Sequence, residues 1–158
     1  MIDPEPGALR KGDDGGWTPQ AVYGAMAGMD AAAIIESLEQ VGERCADPTA
    51  RVYARLFARH PEMEALFVRD TDLSVRGAML QQVIEAILDI GGRGVFGRNL
   101  VRAEVVNHEN LGVPRDVFPA FFEAIAETFR EIAGEAWTPA MEAAWGELVA
   151  ELEATAAQ

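Results

Sequence analysis

From Asp30 onward the chain repeats its apolar residues with the period of an α-helix and nowhere with the period of a strand. That pattern narrows the fold more than any other feature, because a 3.6-residue stripe buries itself only against other helices or a sheet, and no segment here alternates as a sheet would. "AAAIIESLEQVGERC" places Ile34, Ile35, Leu38 and Val41 on one stripe. "DPTARVYARLFARH" offers Asp47 as N-cap, Pro48 as first helical residue and a stripe of Val52, Tyr53, Leu56 and Phe57. Pro61 ends that helix by disfavouring helical geometry at His60, and a short turn, "PEMEALF", follows. A long helix over about Ser74–Ile90 carries Met79, Leu80, Val83, Ile84, Ile87 and Leu88, a stripe wide enough for a large core or a bulky apolar ligand. "GGRG" at 91–94 stops it, and a helix over about Gly97–Asn107 ends near His108. Pro114 is read as opening the next helix, with Val117, Phe118, Phe121, Phe122, Ile125, Phe129 and Ile132 inward. Thr138-Pro139 caps the last, with Met141, Trp145, Leu148, Val149 and Leu152 inward. The expectation is an all-α domain.

Residues 1–29 read as an N-terminal extension, loosely docked or partly disordered, with residues 30–158 as the domain. Four glycines and two prolines crowd the first 16 residues. "WTPQAVYGAMAGM" is read as a weak helix starting at Thr18-Pro19, by the same capping chemistry as Trp137-Thr138-Pro139. The N-terminus lacks the basic-then-apolar pattern of a secretory signal, and no apolar run reaches the roughly 18 residues of a membrane span. A cytoplasmic setting is expected. The single cysteine, Cys45, excludes an internal disulfide. The formal net charge is −13, which argues against nucleic acid and anionic membranes as partners, since both need a basic face.

Few residues can carry chemistry. Two histidines, one cysteine and no HExxH leave too few ligands for a metal held by side chains alone. There is no phosphate-cradling loop and no Gly-x-Ser-x-Gly. His60 precedes Pro61 on the expected surface. His108 sits in "VVNHENLGVP" at a helix end, where a histidine favourably meets the negative pole of the helix. One histidine also suffices as a metal ligand if a porphyrin supplies the rest of the coordination.

Four segments resemble the globin family, in particular its bacterial single-domain and flavohaemoglobin-type members. "VYARLFARHPEMEALF" is similar to the family's second helix, proline turn and haem-wedging aromatic. "VRGAMLQQVIEAILDI" is similar to the distal helix. "HENLGVPRDVFPAFF" is similar to the proximal histidine, the corner and the aromatic start of the next helix. "WTPAMEAAWGEL" is similar to the start of the last helix. The likeness covers about residues 30–156. The steps of 14 residues from Tyr53 to Phe67 and 10 from His108 to Phe118 fit the family pattern.

The resemblance implies a three-over-three globin fold and haem b, with His108 as the proximal iron ligand. It implies that Phe67 packs on the porphyrin, that Tyr53 donates a hydrogen bond to bound O2, and that Val113, Phe118 and Phe121 wall the proximal side. The distal helix has two registers. With Arg76 at the gate, Leu80, Val83 and Ile84 face the haem and core. With Val75 there, Gln82 must face the porphyrin. Burying an unpaired amide costs about 1–3 kcal/mol, so the expected register has Arg76 at the gate, its guanidinium reaching a propionate or solvent. Three departures stand out: Glu104 replaces an apolar residue one turn before His108, Phe118 replaces a tyrosine, and the usual distal glutamine or histidine is missing. The implied function is reversible binding of O2, NO or CO for storage, scavenging or NO detoxification. The last would be an NO dioxygenase activity drawing electrons from a separate reductase. A haem-based gas or redox sensor acting through a partner, and a haem-free regulatory subunit, are the alternatives; a homodimer is left open.

Overall fold

The computed structural model describes residues 30–91 and 96–158, with the backbone of Arg10–Lys11 and Trp17–Thr18. Those two pairs form a two-residue antiparallel ladder, Arg10 opposite Thr18 and Lys11 opposite Trp17. The helix expected to start at Thr18-Pro19 lies outside the described residues.

The described residues form six α-helices: α1 Ala31–Arg44, α2 Thr49–Arg59, α3 Ser74–Gly91, α4 Phe96–Asn110, α5 Val117–Ala133 and α6 Pro139–Ala156. Short 3-10 turns, Pro61–Phe67 and Gly134–Ala136, lie before α3 and α6. Helices α1, α3 and α4 pack over α2, α5 and α6, with α1 against α5 and α6, α4 against α6, and α2 against α3. Between the layers lies a core of Ile34, Val52, Ile87, Ile90, Ile125, Phe129, Met141 and Leu148.

Most helix ends follow their sequence signals. Asp30 Oδ1 accepts from Ala33 N at 3.0 Å, and Asp47 Oδ1 accepts from Thr49 N at 3.0 Å. Thr138 Oγ1 accepts from Met141 N at 3.1 Å. Each side chain satisfies one of the amides a first turn leaves without a carbonyl. Helix α2 starts one residue later than expected, with Pro48 and not Asp47 at its N-cap position, and two further boundaries differ. Helix α4 runs past His108 to Asn110 and ends where Gly112 takes φ +88°, so His108 stands inside its last turn. Helix α5 begins at Val117, because Pro114–Asp116 make a turn whose carbonyls at Pro114 and Arg115 take the Val117 and Phe118 amides. Pro119 then sits in the first turn, where its missing N–H costs no helix bond.

Two devices fix α3 and α4, the helices that matter most below. Asp70 is buried; its Oδ1 accepts from Val75 N at 2.9 Å and its Oδ2 from Arg76 N at 3.0 Å and Arg76 Nε at 2.9 Å. At the other end, Asp89 Oδ2 accepts from Gly97 N at 2.6 Å. A Cβ on Gly97 would lie 2.4 Å from the Ala86 carbonyl oxygen. Helices α3 and α4 thus cross with backbone nearly touching backbone, which only glycine permits.

Candidate functional site

A cleft opens between α3 and α4, enclosing about 820 Å³ of empty space that includes its open mouth. Tyr53 and Leu56 come from α2, and Met63, Leu66 and Phe67 from the 3-10 turn. Met79, Gln82, Val83 and Ala86 come from α3; Leu100, Val101, Glu104 and His108 from α4. Val113 follows at the corner, and Val117, Phe118, Phe121 and Phe122 close the wall from α5. The lining is overwhelmingly apolar, with aromatic rings locked on one another. Tyr53 meets Phe67 edge-on at 5.5 Å and Phe121 at 5.2 Å between ring centres.

His108 enters this lining with one ring nitrogen already committed. Its Nδ1 lies 2.7 Å from the Glu104 carbonyl oxygen, which can only accept, so Nδ1 carries the hydrogen. In the neutral ring, Nε2 then holds a free lone pair. The Glu104 carboxylate adds Oε2 at 3.5 Å from the same Nδ1. Phe118 holds the ring from the side, perpendicular at 5.6 Å.

Tyr53 is 3% exposed, and its hydroxyl donates to Met79 Sδ at 3.6 Å. Burial pushes its phenol well above the usual tyrosine range; Arg76 works against this and Asp70 adds to it. Tyr53 is therefore a hydrogen-bond donor at any physiological pH, never a phenolate.

Seven of the nine residues expected at the site share this cleft: Tyr53, Phe67, Val83, His108, Val113, Phe118 and Phe121. Arg76 and Leu80 do not. Asp70 holds Arg76 by Nε, and Arg76 Nη2 donates to the Asp70 carbonyl at 2.6 Å. The guanidinium lies outside the lining, 5.5 Å from the centre of the Phe67 ring. Leu80 is buried on the opposite side of α3, towards α1 and Phe129. The lining follows the disfavoured register, with Gln82 facing the cleft: Met79, Gln82, Val83 and Ala86 form the α3 stripe, and Val75, one turn before Met79, is exposed. Gln82 joins the lining without the anticipated cost, since it is half-buried and its amide keeps access to water. His60 lies apart from the cleft, its Nδ1 3.1 Å from Glu62 Oε1.

Sequence reasoning does not single out Met79, Leu100 and Val101 as lining residues, sets Gln82 aside with the Val75 register, and reads Glu104 as a misfit. The Met79–Val83–Ala86 spacing is visible in the sequence; which face it turns inward depends on packing between helices.

A sequence model of the globin family matches residues 50–156, over half of the chain. The chain belongs to the globin family. No curated protein and no solved structure was found to match this globin. Globins hold haem iron through a proximal histidine, and the family binds gaseous ligands such as O2. The residues present fit such a group: an apolar cleft, a flanking aromatic set and one histidine with a free Nε2. Among the described residues there is no competing metal site of three or more His, Cys, Asp or Glu side chains. No helix among them is long and apolar enough to cross a membrane.

Proposed function

We propose that this globin holds haem b in the cleft through His108 and reversibly binds a diatomic gas. The observation that carries the reading is the Nδ1–H bond from His108 to the Glu104 carbonyl, which leaves the Nε2 lone pair for a metal in an apolar cleft. Bound haem would supply an iron with one open face for O2, NO or CO.

The chain's own residues do the rest. Phe67, Val113, Phe118 and Phe121 exclude water and present flat apolar surface to the macrocycle. Val83 and Ala86 close the wall on the α3 side. Tyr53 keeps its proton and offers one O–H donor in otherwise apolar surroundings, where a hydrogen bond is strongest. Such a site suits storage or scavenging of gas in the cytoplasm. It is also compatible with NO detoxification if a separate reductase supplies electrons.

Titration of the purified chain with haem tests the proposal. One equivalent should produce a Soret band with the spectroscopic signature of axial histidine. His108→Gly should lose that signature, and added imidazole should restore it. No haem uptake, or an unchanged His108→Gly spectrum, would sink the assignment.

A further inference from the structure

Helix α3 brings a sulfur into the cleft that no part of the gas-binding reading requires. Met79 is half-buried, and its Sδ accepts the Tyr53 hydroxyl at 3.6 Å. It stands on the α3 wall, whereas His108 stands on the α4 wall.

The cleft's other side chains with lone pairs are poor second ligands for an iron held by His108. Glu104 lies one turn before His108 on the same helix, its carboxylate against His108 Nδ1. Met63 also borders the cleft, but it is buried in the cluster of Tyr53, Leu56, Val117 and Ala120, whereas Met79 is half-buried with its sulfur held by Tyr53. Gln82 offers only an amide oxygen, a hard donor that suits harder metals. Tyr53 is kept protonated by burial, and a phenol that retains its hydrogen is a poor iron ligand. A thioether is a soft donor, and a methionine opposite a histidine is an established haem-iron pair. Its sulfur has two lone pairs. The Tyr53 hydrogen takes one and fixes the orientation of the side chain; the other stays available.

We propose that Met79 Sδ, held by the Tyr53 hydroxyl, is the second axial ligand of the haem in the gas-free state and must be displaced by an incoming gas. The inference rests on the haem reading above. The step is a ligand exchange without redox change: the sulfur–iron bond breaks as the gas–iron bond forms. It couples two events. While Met79 is in place its sulfur occupies both the coordination position and the Tyr53 hydrogen. When it leaves, the position and the donor become free together.

The test uses the full chain loaded with haem. Ferric and ferrous protein should be low-spin, the ferric form with a thioether-to-iron charge-transfer band. Met79→Leu, which nearly conserves volume, should be high-spin and have a lower reduction potential, because a thioether ligand favours the ferrous state. The rate of carbon monoxide combination should level off at high gas concentration in the unsubstituted chain and stay linear in Met79→Leu. If Met79 occupies the position nine-tenths of the time, removing it should tighten apparent carbon monoxide affinity about ten-fold. Tyr53→Phe should shift the charge-transfer band while keeping the low-spin state. High-spin protein, or a low-spin spectrum unchanged in Met79→Leu, would overturn the inference and leave the haem reading standing. Absence of any Soret band would overturn both. The charge-transfer band and the plateau are both read on the natural sequence, so absence of either overturns the inference even if Met79→Leu fails to fold.

Discussion

Glycine supplies a contrast that residue-level geometry can predict. Gly97, Gly42 and Gly146 all lie in helices, yet only Gly97 faces close backbone: its added Cβ would meet Ala86 O at 2.4 Å and Ile90 Cγ1 at 2.9 Å. A carbonyl cannot rotate away as a side chain can. Gly97→Ala should therefore force α3 and α4 apart, costing roughly 1–3 kcal/mol in urea unfolding. Gly42 and Gly146 have nothing within 4 Å of an added Cβ. Alanine there should stabilise by about 0.5–1 kcal/mol, because the unfolded chain loses freedom and the native helix loses nothing. Equal effects at the three positions would show that the close crossing is not the constraint. The gap between α3 and α4 also sets how Met79 and His108 face the cleft, so Gly97→Ala should disturb haem uptake as well as stability.

Between elements, two kinds of joint hold the helices, and they should respond differently to salt. Arg51, Arg55 and Arg59 on α2 pair with Glu123, Glu127 and Glu131 on α5, including Arg51–Glu131 at 2.7 Å and Arg59–Glu127 at 2.6 Å. These groups are partly exposed. Arg51→Ala should cost no more than about 1 kcal/mol, and the loss should shrink in molar salt. The buried joint is Ser37 with Trp145, whose Nε1 donates to Ser37 Oγ at 2.8 Å. Ser37→Ala leaves a buried indole N–H without an acceptor, a cost of about 1–3 kcal/mol that salt should leave unchanged. Thermal melts at low and high salt separate the two.

Across the whole molecule, paired carboxylates set the response to acid. Thr49 lowers Asp47, Ser74 lowers Asp72, and Arg51 lowers Glu131. Desolvation raises Asp70, but the Val75 and Arg76 amides and the Arg76 side chain outweigh it, so its carboxyl also falls below the ordinary 3.8. A carboxylate whose folded value is lowered adds stability that is complete above its unfolded value and disappears as pH falls through the folded one. The domain should therefore lose stability on acidification below about pH 4, taking up protons as it unfolds. Asp70→Asn should be less stable than the natural chain at pH 7 and show a flatter acid limb. An identical acid limb would remove Asp70 from the linkage.

How far the sequence reaches is clearest where helix meets cleft. Helical period and capping residues are local, so the all-α class, the Thr138 cap of α6 and the inward faces of α5 and α6 were legible from residue order. The clustering of Tyr53, Phe67, Phe118, Phe121 and His108 was legible through family resemblance. Three things were not. The face that α3 turns to the cleft is set by its packing against other elements, with Met79 in the lining and Arg76 held outside it by Asp70. The role of Glu104 depends on its backbone carbonyl, and a carbonyl is invisible to a reading by residue type. The need for glycine at position 97 depends on a carbonyl from another helix. Sequence alone determined which residues form helices and which faces are apolar, because those follow from the chain's own period. Tertiary structure alone decided the α3 side of the cleft, the Glu104 carbonyl at His108 and the close crossing at Gly97, because each depends on contacts between elements that local preference does not encode.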